Sequence, residues 1–444
     1  MFFYKGGRAI MLAILGFLMV ITFLYLIMSK RVTPFTGLII VPVIYGIIGG
    51  FGFQLGPMMM DGVLNTAPTA LLILFAILYF GIMIDTGLFE PLTNKIIKIA
   101  KGDPLKVIVG TAILAGIVGL DGDGSTTIII VVSAFLPIYI KLGIKPIILA
   151  SITVLQIGIT TLVPWGGPVG RVASVLNLDP TSLFRAMVPG MIVSLIYIVL
   201  VAYIIGRKER ARLGIHKPYL NMNDQTESMM SAAVENVVIK RPKLRWLNFI
   251  LTIVIMAALL LEWLPPVVLF ILGTAIALLI NYPSIIDQRE RVQKHAPNAL
   301  SVTSIMLAAG VFAGILKETQ MSAAMAQSLI TIIPDGIGSF LPIVIAVLSI
   351  PGLFLIGPDA FYFGIIPVIA ETASIYGVSE MEIAIASLYG TSFGFIGPLV
   401  GAMYLLTEMT KVNLGDVQKY AAKWAIGVFL IYIIIGISLG HVLF

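Results

Sequence analysis

The chain has 444 residues, of which 59% are hydrophobic and only 11% charged, with a mean hydropathy of +1.05. Soluble domains carry charge on about a quarter of their residues, so this composition excludes an ordinary water-soluble fold and places the chain in lipid. The absence of cysteine excludes disulfides, thiolate metal sites and cysteine nucleophiles, and the formal charge of +6 reads as a topology signal, not as a nucleic-acid footprint.

Elements follow from apolar runs long enough to cross about 30 Å of hydrocarbon at 1.5 Å per residue. Met1–Met28 has basic residues ahead of an apolar run but no small-residue cleavage site, so it reads as a retained first helix. In the first half, 1–206, the expected elements are scaffold helices within 11–88 (spans near 11–28, 34–53 and 68–88), a broken apolar segment over 105–140, an interrupted helix over 147–173 and a helix over 187–206. A polar loop covers 207–245. The second half, 246–444, repeats the order: scaffold helices within 246–317 (near 246–261, 264–281 and 301–317), a broken segment over 338–377, an interrupted helix over 382–409 and a last helix over 421–440. Residues alone leave 105–140 and 338–377 open as two full helices each or as re-entrant hairpins. The three histidines, His216, His295 and His441, fall in loops or at the end, which argues against a histidine metal site or proton relay.

Short basic loops stay cytoplasmic. Placing the 207–245 loop inside puts every Lys and Arg on the cytoplasmic side except Lys5, Arg8, Arg171, Arg185 and Lys317. Each half then has an odd number of crossings, five, so the second sits upside down relative to the first. Inverted repeats with Gly/Pro-interrupted helices in matching positions point to a secondary transporter with a site at mid-membrane. Asn177-Leu178 and Asn413-Leu414 follow the two interruptions and strengthen the match.

Four clusters place polar or helix-breaking residues where lipid-depth sequence is apolar, which is tolerated only where backbone lines a cavity or is buried in protein. Gly119-Leu-Asp-Gly-Asp-Gly-Ser-Thr-Thr127 sets Asp121 and Asp123 two residues apart, hard oxygen ligands for a proton or a cation. Ser125 or Thr126 would cap the following helix and aim its N-terminus at an anion; an Asp-Gly turn between two full helices is the plain alternative. Arg171 is the one basic residue left inside a span, where charge costs at least about 2.5 kcal/mol. Its fork suits a carboxylate, and Gly166, Gly167 and Pro168 would unwind the backbone beside it. A structural ion pair is the competing reading. Gly357-Pro-Asp359 mirrors the first cluster with one carboxylate, and Gly397-Pro398 breaks the second interrupted helix. Glu408 is expected to pair with Lys411, and Asp85, Glu90, Glu318 and Glu371 to be interfacial.

At Asp121–Thr127, at Leu162-Val-Pro-Trp-Gly-Gly-Pro168 with Arg171, and at Gly357-Pro-Asp-Ala-Phe-Tyr-Phe-Gly364, the sequence resembles the citrate/divalent-metal:proton symporter family of the ion transporter superfamily. Leu74–Asp85, Lys101-Gly-Asp-Pro104 and Asn413-Leu-Gly-Asp416 are similar too. The stretch Thr407–Lys411, with Glu408, departs from the family pattern. The resemblance implies an all-α polytopic fold of two inverted repeats: about ten transmembrane helices, two re-entrant hairpins and two broken helices of the elevator type. It implies a homodimer in the bacterial inner membrane and a substrate of citrate complexed with Mg²⁺ or Ca²⁺, carried with protons. Substrate contacts would come from Arg171, Ser125, Thr126, Gly166, Gly167, Pro168, Gly357, Asp359, Gly397 and Pro398. Proton or cation coupling would come from Asp121, Asp123 and Asp359, with Asp121 and Asp123 as candidate metal ligands. No resident cofactor, nucleic-acid partner or enzyme activity is expected.

Charge explains why such cargo needs company. A citrate trianion entering an inside-negative cell works against about 2.3 kcal/mol per charge per 100 mV. A divalent metal leaves one negative charge, and two or more protons make entry electrogenic and inward. The alternatives are a proton or sodium symporter of another carboxylate (a dicarboxylate or gluconate), an anion channel, and an intramembrane hydrolase using Asp121 and Asp123 as an acid pair. The second half lacks a partner motif for the last.

Overall fold

The computed structural model describes residues 2–214, 240–333 and 335–442; most of the polar loop, His216 included, lies outside the described residues. The described residues are helical, with no strand. Helices α1 (Phe2–Met28), α2 (Pro34–Ile48) and α3 (Leu55–Asp85) are followed by a short α4 (Glu90–Ala100). The first hairpin is α5 (Pro104–Val118) with α6 (Gly124–Leu142), the first broken helix α7 (Pro146–Thr160) with α8 (Gly167–Leu176), and α9 (Pro180–Leu213) closes the half. The second half brings α10 (Arg245–Leu260), α11 (Pro266–Asn281), α12 (Ile285–Glu318) and a short α13 (Met321–Ile330). Its hairpin is α14 (Leu341–Pro351) with α15 (Ile366–Ile375), its broken helix α16 (Glu380–Leu388), α17 (Thr391–Phe395) and α18 (Gly401–Thr410), and α19 (Leu414–Ser438) is last. The order of elements in the two halves is the same.

Eight described helices are long and apolar enough to cross a membrane by length and composition, and the protein is an all-helical polytopic membrane protein. Large apolar side chains stand exposed along α1 (Ile14, Leu18, Ile21) and along α10 and α11 (Ile250, Ile253, Ile276, Leu279), surface that water would penalise and lipid does not. By contrast every residue of α7 from Ile148 to Thr160 is buried, as in a helix enclosed by protein on all sides.

Helix starts are set by local chemistry. Proline occupies the first turn of α2, α5, α7, α9 and α11, where its missing N–H costs nothing. Asp103, Asp179 and Asn413 cap α5, α9 and α19 through their side chains. The last two correct the sequence match between the halves. Asn177 is the left-handed C-cap of α8, equivalent to Lys411 after α18, and Asp179 is the counterpart of Asn413. The two Asn-Leu pairs are therefore out of register by two residues.

Several helices exceed their expected limits. α3 begins at Leu55 and not near 68, α12 at Ile285 and not near 301, and α9 runs on to Leu213. α3 and α12 lie against each other at a glycine crossing: a Cβ on Gly62 would come within 2.0 Å of the Gly310 carbonyl oxygen, so the backbones touch. α4 and α13 fall between the elements expected from sequence and are too short to register as spans. In α4, Thr93 and Ala100 are buried and Leu92, Ile96 and Ile97 pack on the core, while Asn94, Lys95 and Lys98 face outward.

Candidate functional site

At the tip of the first hairpin, α5 passes through a 3₁₀ turn, Gly119–Asp121, and Gly122 with φ 81° before α6 begins. Asp123 is the N-cap. One of its oxygens accepts from the Ser125 N–H at 3.0 Å, and the other from the Thr126 N–H at 3.4 Å and the Thr126 hydroxyl at 2.6 Å. This corrects the expectation that Ser125 or Thr126 caps the helix: both lie inside its first turn, and the longer-reaching acceptor precedes them. Asp121 is 3% exposed; one oxygen accepts from the Asp123 N–H at 2.9 Å and the other has no partner.

The break between α7 and α8 covers residues 161–166. The Thr160 and Thr161 hydroxyls donate back to the carbonyls of Gln156 and Ile157, at 3.0 and 2.9 Å. Gly166 turns so tightly that a Cβ would lie 1.8 Å from the Thr161 carbonyl oxygen. Trp165 leaves the break toward the long helices: its ring stacks on Phe80 at 5.5 Å and meets Phe270 edge-on at 5.1 Å. Its indole N–H donates to the Leu120 carbonyl at 3.2 Å, tying the break to the first hairpin tip. Pro168 is buried in the first turn of α8.

Arg171, one turn further on, donates through Nε to Asp359 Oδ1 at 2.6 Å. Two candidates drawn from different halves are thus one ion pair. The side chains are 19% and 21% exposed, which separates this contact from a sealed structural bridge. Gly167 leaves room for the guanidinium, since a Cβ there would approach Nη1 to 2.7 Å.

Asp359 sits at the tip of the second hairpin, between two π-helical turns, Gly352–Ile356 and Phe361–Ile365. Such widened turns recur at functional sites. Gly357, with φ 90° and ψ 160°, holds a conformation closed to other residues. Leu399, from the break between α17 and α18, packs against it. In that break Gly397 abuts the Phe354 backbone, and the Pro398 carbonyl accepts from the Tyr404 hydroxyl at 2.7 Å. The two broken helices cross where Gly158 meets Ser392, and Phe395 reaches Gly124 in the first hairpin. Each hairpin tip therefore touches both broken helices.

Arg171, Asp359, Gly357, Gly166, Gly167, Pro168, Gly397 and Pro398 share this junction. Asp121, Asp123, Ser125 and Thr126 form a second cluster beside it, joined through Trp165; among the described residues no hydrogen bond or ion pair links Asp121 or Asp123 to Arg171 or Asp359. Among the described residues no three His, Asp or Glu side chains converge as a metal cage. Trp165 and the buried Tyr362, whose hydroxyl donates to the Ser387 carbonyl at 3.5 Å, were not singled out from sequence. Trp165 stood inside a quoted motif, yet nothing in the pattern says that its indole reaches another hairpin.

Charges at the basic end correct further readings. His295 is inside α12 and not in a loop, and its Nε2 lies 2.9 Å from Asp85 Oδ2. Asp85, at the end of α3, is 2% exposed; Arg291, 6% exposed, and Lys294 also reach it, at 3.2 and 2.5 Å. Glu90 pairs with Lys240 and Arg245, and Asp103 with Arg210. These pairs bring together segments expected to be cytoplasmic, near 95–106, 240–245 and 291 and at the end of α9. Glu408 is exposed and does not pair with Lys411.

Comparison with known proteins agrees with this architecture. The family described as citrate transporter matches residues 7–390. A Bacillus subtilis (strain 168) protein named citrate transporter is 47% identical over 438 residues, 98% of this chain and 100% of that protein. The Mg(2+)/citrate complex secondary transporter of the same organism is 45% identical over 435 residues, 97% of this chain and 99% of that protein. Among solved structures, the Alcanivorax borkumensis YdaH transporter superposes with a TM-score of 0.56 over 88% of this chain and 89% of its own, at 15% identity, a likeness of fold alone. These relatives are transporters, not enzymes, and this chain belongs to the citrate transporter family.

Proposed function

We propose that the protein imports citrate as its complex with a divalent metal ion, in symport with protons, across the bacterial cell membrane. The observation that carries this reading is the Arg171–Asp359 pair: a guanidinium suited to a carboxylate, opposed by an exchangeable carboxylate, at the junction of two hairpin tips and two broken helices. The near-full-length match to a relative named for Mg(2+)/citrate supports the choice of cargo.

In this reading citrate brings most of the metal's ligands. The glycine-lined backbone at Gly166, Gly167, Gly357 and Gly397 lets the cargo approach closely, with Ser125, Thr126, Pro168 and Pro398 around it. Asp123 braces the first tip, and Asp121, with one oxygen sealed and unpartnered, takes up a proton or a cation. The repeated order of elements supports two inverted halves, with the hairpins and broken helices moving elevator-fashion against α1–α3 and α10–α12 in a homodimer and the 207–245 loop inside.

The test is uptake of labelled citrate by proteoliposomes with Mg²⁺, Ca²⁺ or a chelator, across several pH values. Metal-dependent uptake driven by an inward proton gradient is the expected result. Uptake indifferent to chelators would assign the site to another carboxylate, and flux without saturation or exchange would make it a channel.

A further inference from the structure

The Arg171–Asp359 contact is made through a single pair of atoms. Nε donates to one carboxylate oxygen, and neither Nη donates to any other described residue. Nη1 lies back over Gly167, and both side chains keep about a fifth of their surface open. A guanidinium used structurally spends its fork on two parallel bonds; here most of the fork is unspent and open. The partner carboxylate stands two residues after a glycine with φ 90°, and π-turns flank its segment, so the backbone of the hairpin tip sets its position.

We propose that Asp359 is an internal substitute for a cargo carboxylate and the point where proton and cargo are exchanged. In the empty carrier Asp359 occupies Arg171. A proton from solution adds to the Asp359 carboxylate, which becomes a neutral acid and releases the guanidinium. The local charge of Arg171 and Asp359 together then rises from zero to +1, and a carboxylate of the singly negative metal complex takes the vacated place. Release runs in reverse: Asp359 gives up its proton on the far side, regains Arg171 and displaces the cargo. Before and after the exchange the guanidinium faces an anion, Asp359 in the empty carrier and the cargo carboxylate in the loaded one, and the uncompensated +1 between them favours cargo binding over carrying the proton alone.

The surroundings leave this exchange to Asp359. From α8 the facing charge is Arg171 alone. The following π-turn contributes the Tyr362 phenol, and the α17–α18 break contributes Leu399 beside Gly357, with the Tyr404 phenol bonded to the Pro398 carbonyl. α1, packed on the same segment, is apolar from Ala9 to Leu24 apart from Thr22. Among the described residues no second carboxylate pairs with Arg171.

The proposal rests on the carboxylate-transport reading, and its test separates the two. Asp359→Asn and wild type are reconstituted at full length and assayed with labelled citrate and Mg²⁺ for half-saturation against pH, for counterflow exchange, and for accumulation driven by a proton gradient. In wild type, affinity falls about tenfold per pH unit once Asp359 is charged, as one-proton competition requires. The Asn variant loses that slope, binds as tightly at alkaline pH as wild type does at acid pH, keeps counterflow and loses gradient-driven accumulation. An Asn variant that keeps the wild-type slope and still accumulates cargo overturns the proposal. Wild type that moves no citrate at any pH overturns the underlying function instead. Should the Asn variant fail to fold, Asp359→Glu retains the acid on a longer arm and shifts the midpoint of the pH profile; an unmoved midpoint counts against Asp359.

Discussion

The indole N–H of Trp165 donates to the carbonyl of Leu120 at 3.2 Å, so the break in one helix holds the tip of a hairpin that precedes it by forty-odd residues. Trp165→Phe keeps an aromatic ring against Phe80 and Phe270 but removes the donor. A neutral hydrogen bond contributes about 1 kcal/mol, so transport per folded molecule should drop several-fold with little change in thermal stability. Uptake normalised to purified protein tests this, and unchanged transport would make the bond incidental.

Gly166→Ala should be far more damaging than its one carbon suggests. The new Cβ would overlap the Thr161 carbonyl oxygen at 1.8 Å, and no flexible side-chain end is there to yield. The break must reopen, moving Trp165 and Arg171 together. Loss of transport, with protein still reaching the membrane, is the expected outcome; wild-type uptake would show that the turn has another conformation available. Gly357→Ala costs about 1–3 kcal/mol in backbone strain.

Asp85 balances two cations directly and a histidine besides, from inside the protein. Asp85→Asn leaves Arg291 without its buried counter-charge, a loss of about 3–5 kcal/mol. Thermal unfolding in detergent should show a fall of many degrees, whereas Glu290→Gln, which removes an exposed partner of the same arginine, should leave it nearly unmoved.

Burial works against the Asp103 charge, but the Arg210 guanidinium and the Leu105 N–H outweigh it and hold the carboxyl below the usual carboxylate range. A lowered folded value means the contribution is complete above the unfolded value of about 3.9 and fades as pH falls through the folded one. Asp103→Asn keeps a capping side chain and loses the pair, so it should be less stable than wild type by about 1 kcal/mol or less at neutral pH. The difference should vanish in acid. A gap that persists unchanged to low pH would assign the loss to the cap.

The breaks in the two interrupted helices and the out-of-place arginine were legible in the sequence because each violates the rule that lipid-depth residues are apolar and regularly helical. α4 and α13 were not, because ten- or eleven-residue helices leave no signal at the length scale of a membrane. The charges at the basic end were misread for a related reason. Asp85 and His295 sit near span limits, where exposure is the default, and only the early start of α12 at Ile285 turns the His295 ring toward α3. The pairing of Arg171 with Asp359 spans 188 positions in the chain. Each partner announces itself as a charge out of place, but which charge answers it is decided by the fold.

The glycine crossing of α3 and α12 sets a limit on how this protein can work. Where Gly62 meets Gly310 backbone rests on backbone, with the Thr66 hydroxyl beside the contact. In the transport cycle proposed above, the two helices would move as one beam. The give has to come from softer seats, such as the one where the Met306 thioether lies beneath Gly170 of α8. In that cycle Met306, packed there beside Ile73, would serve as a bearing, and stiffening it should slow the carrier without loosening its grip on what it carries.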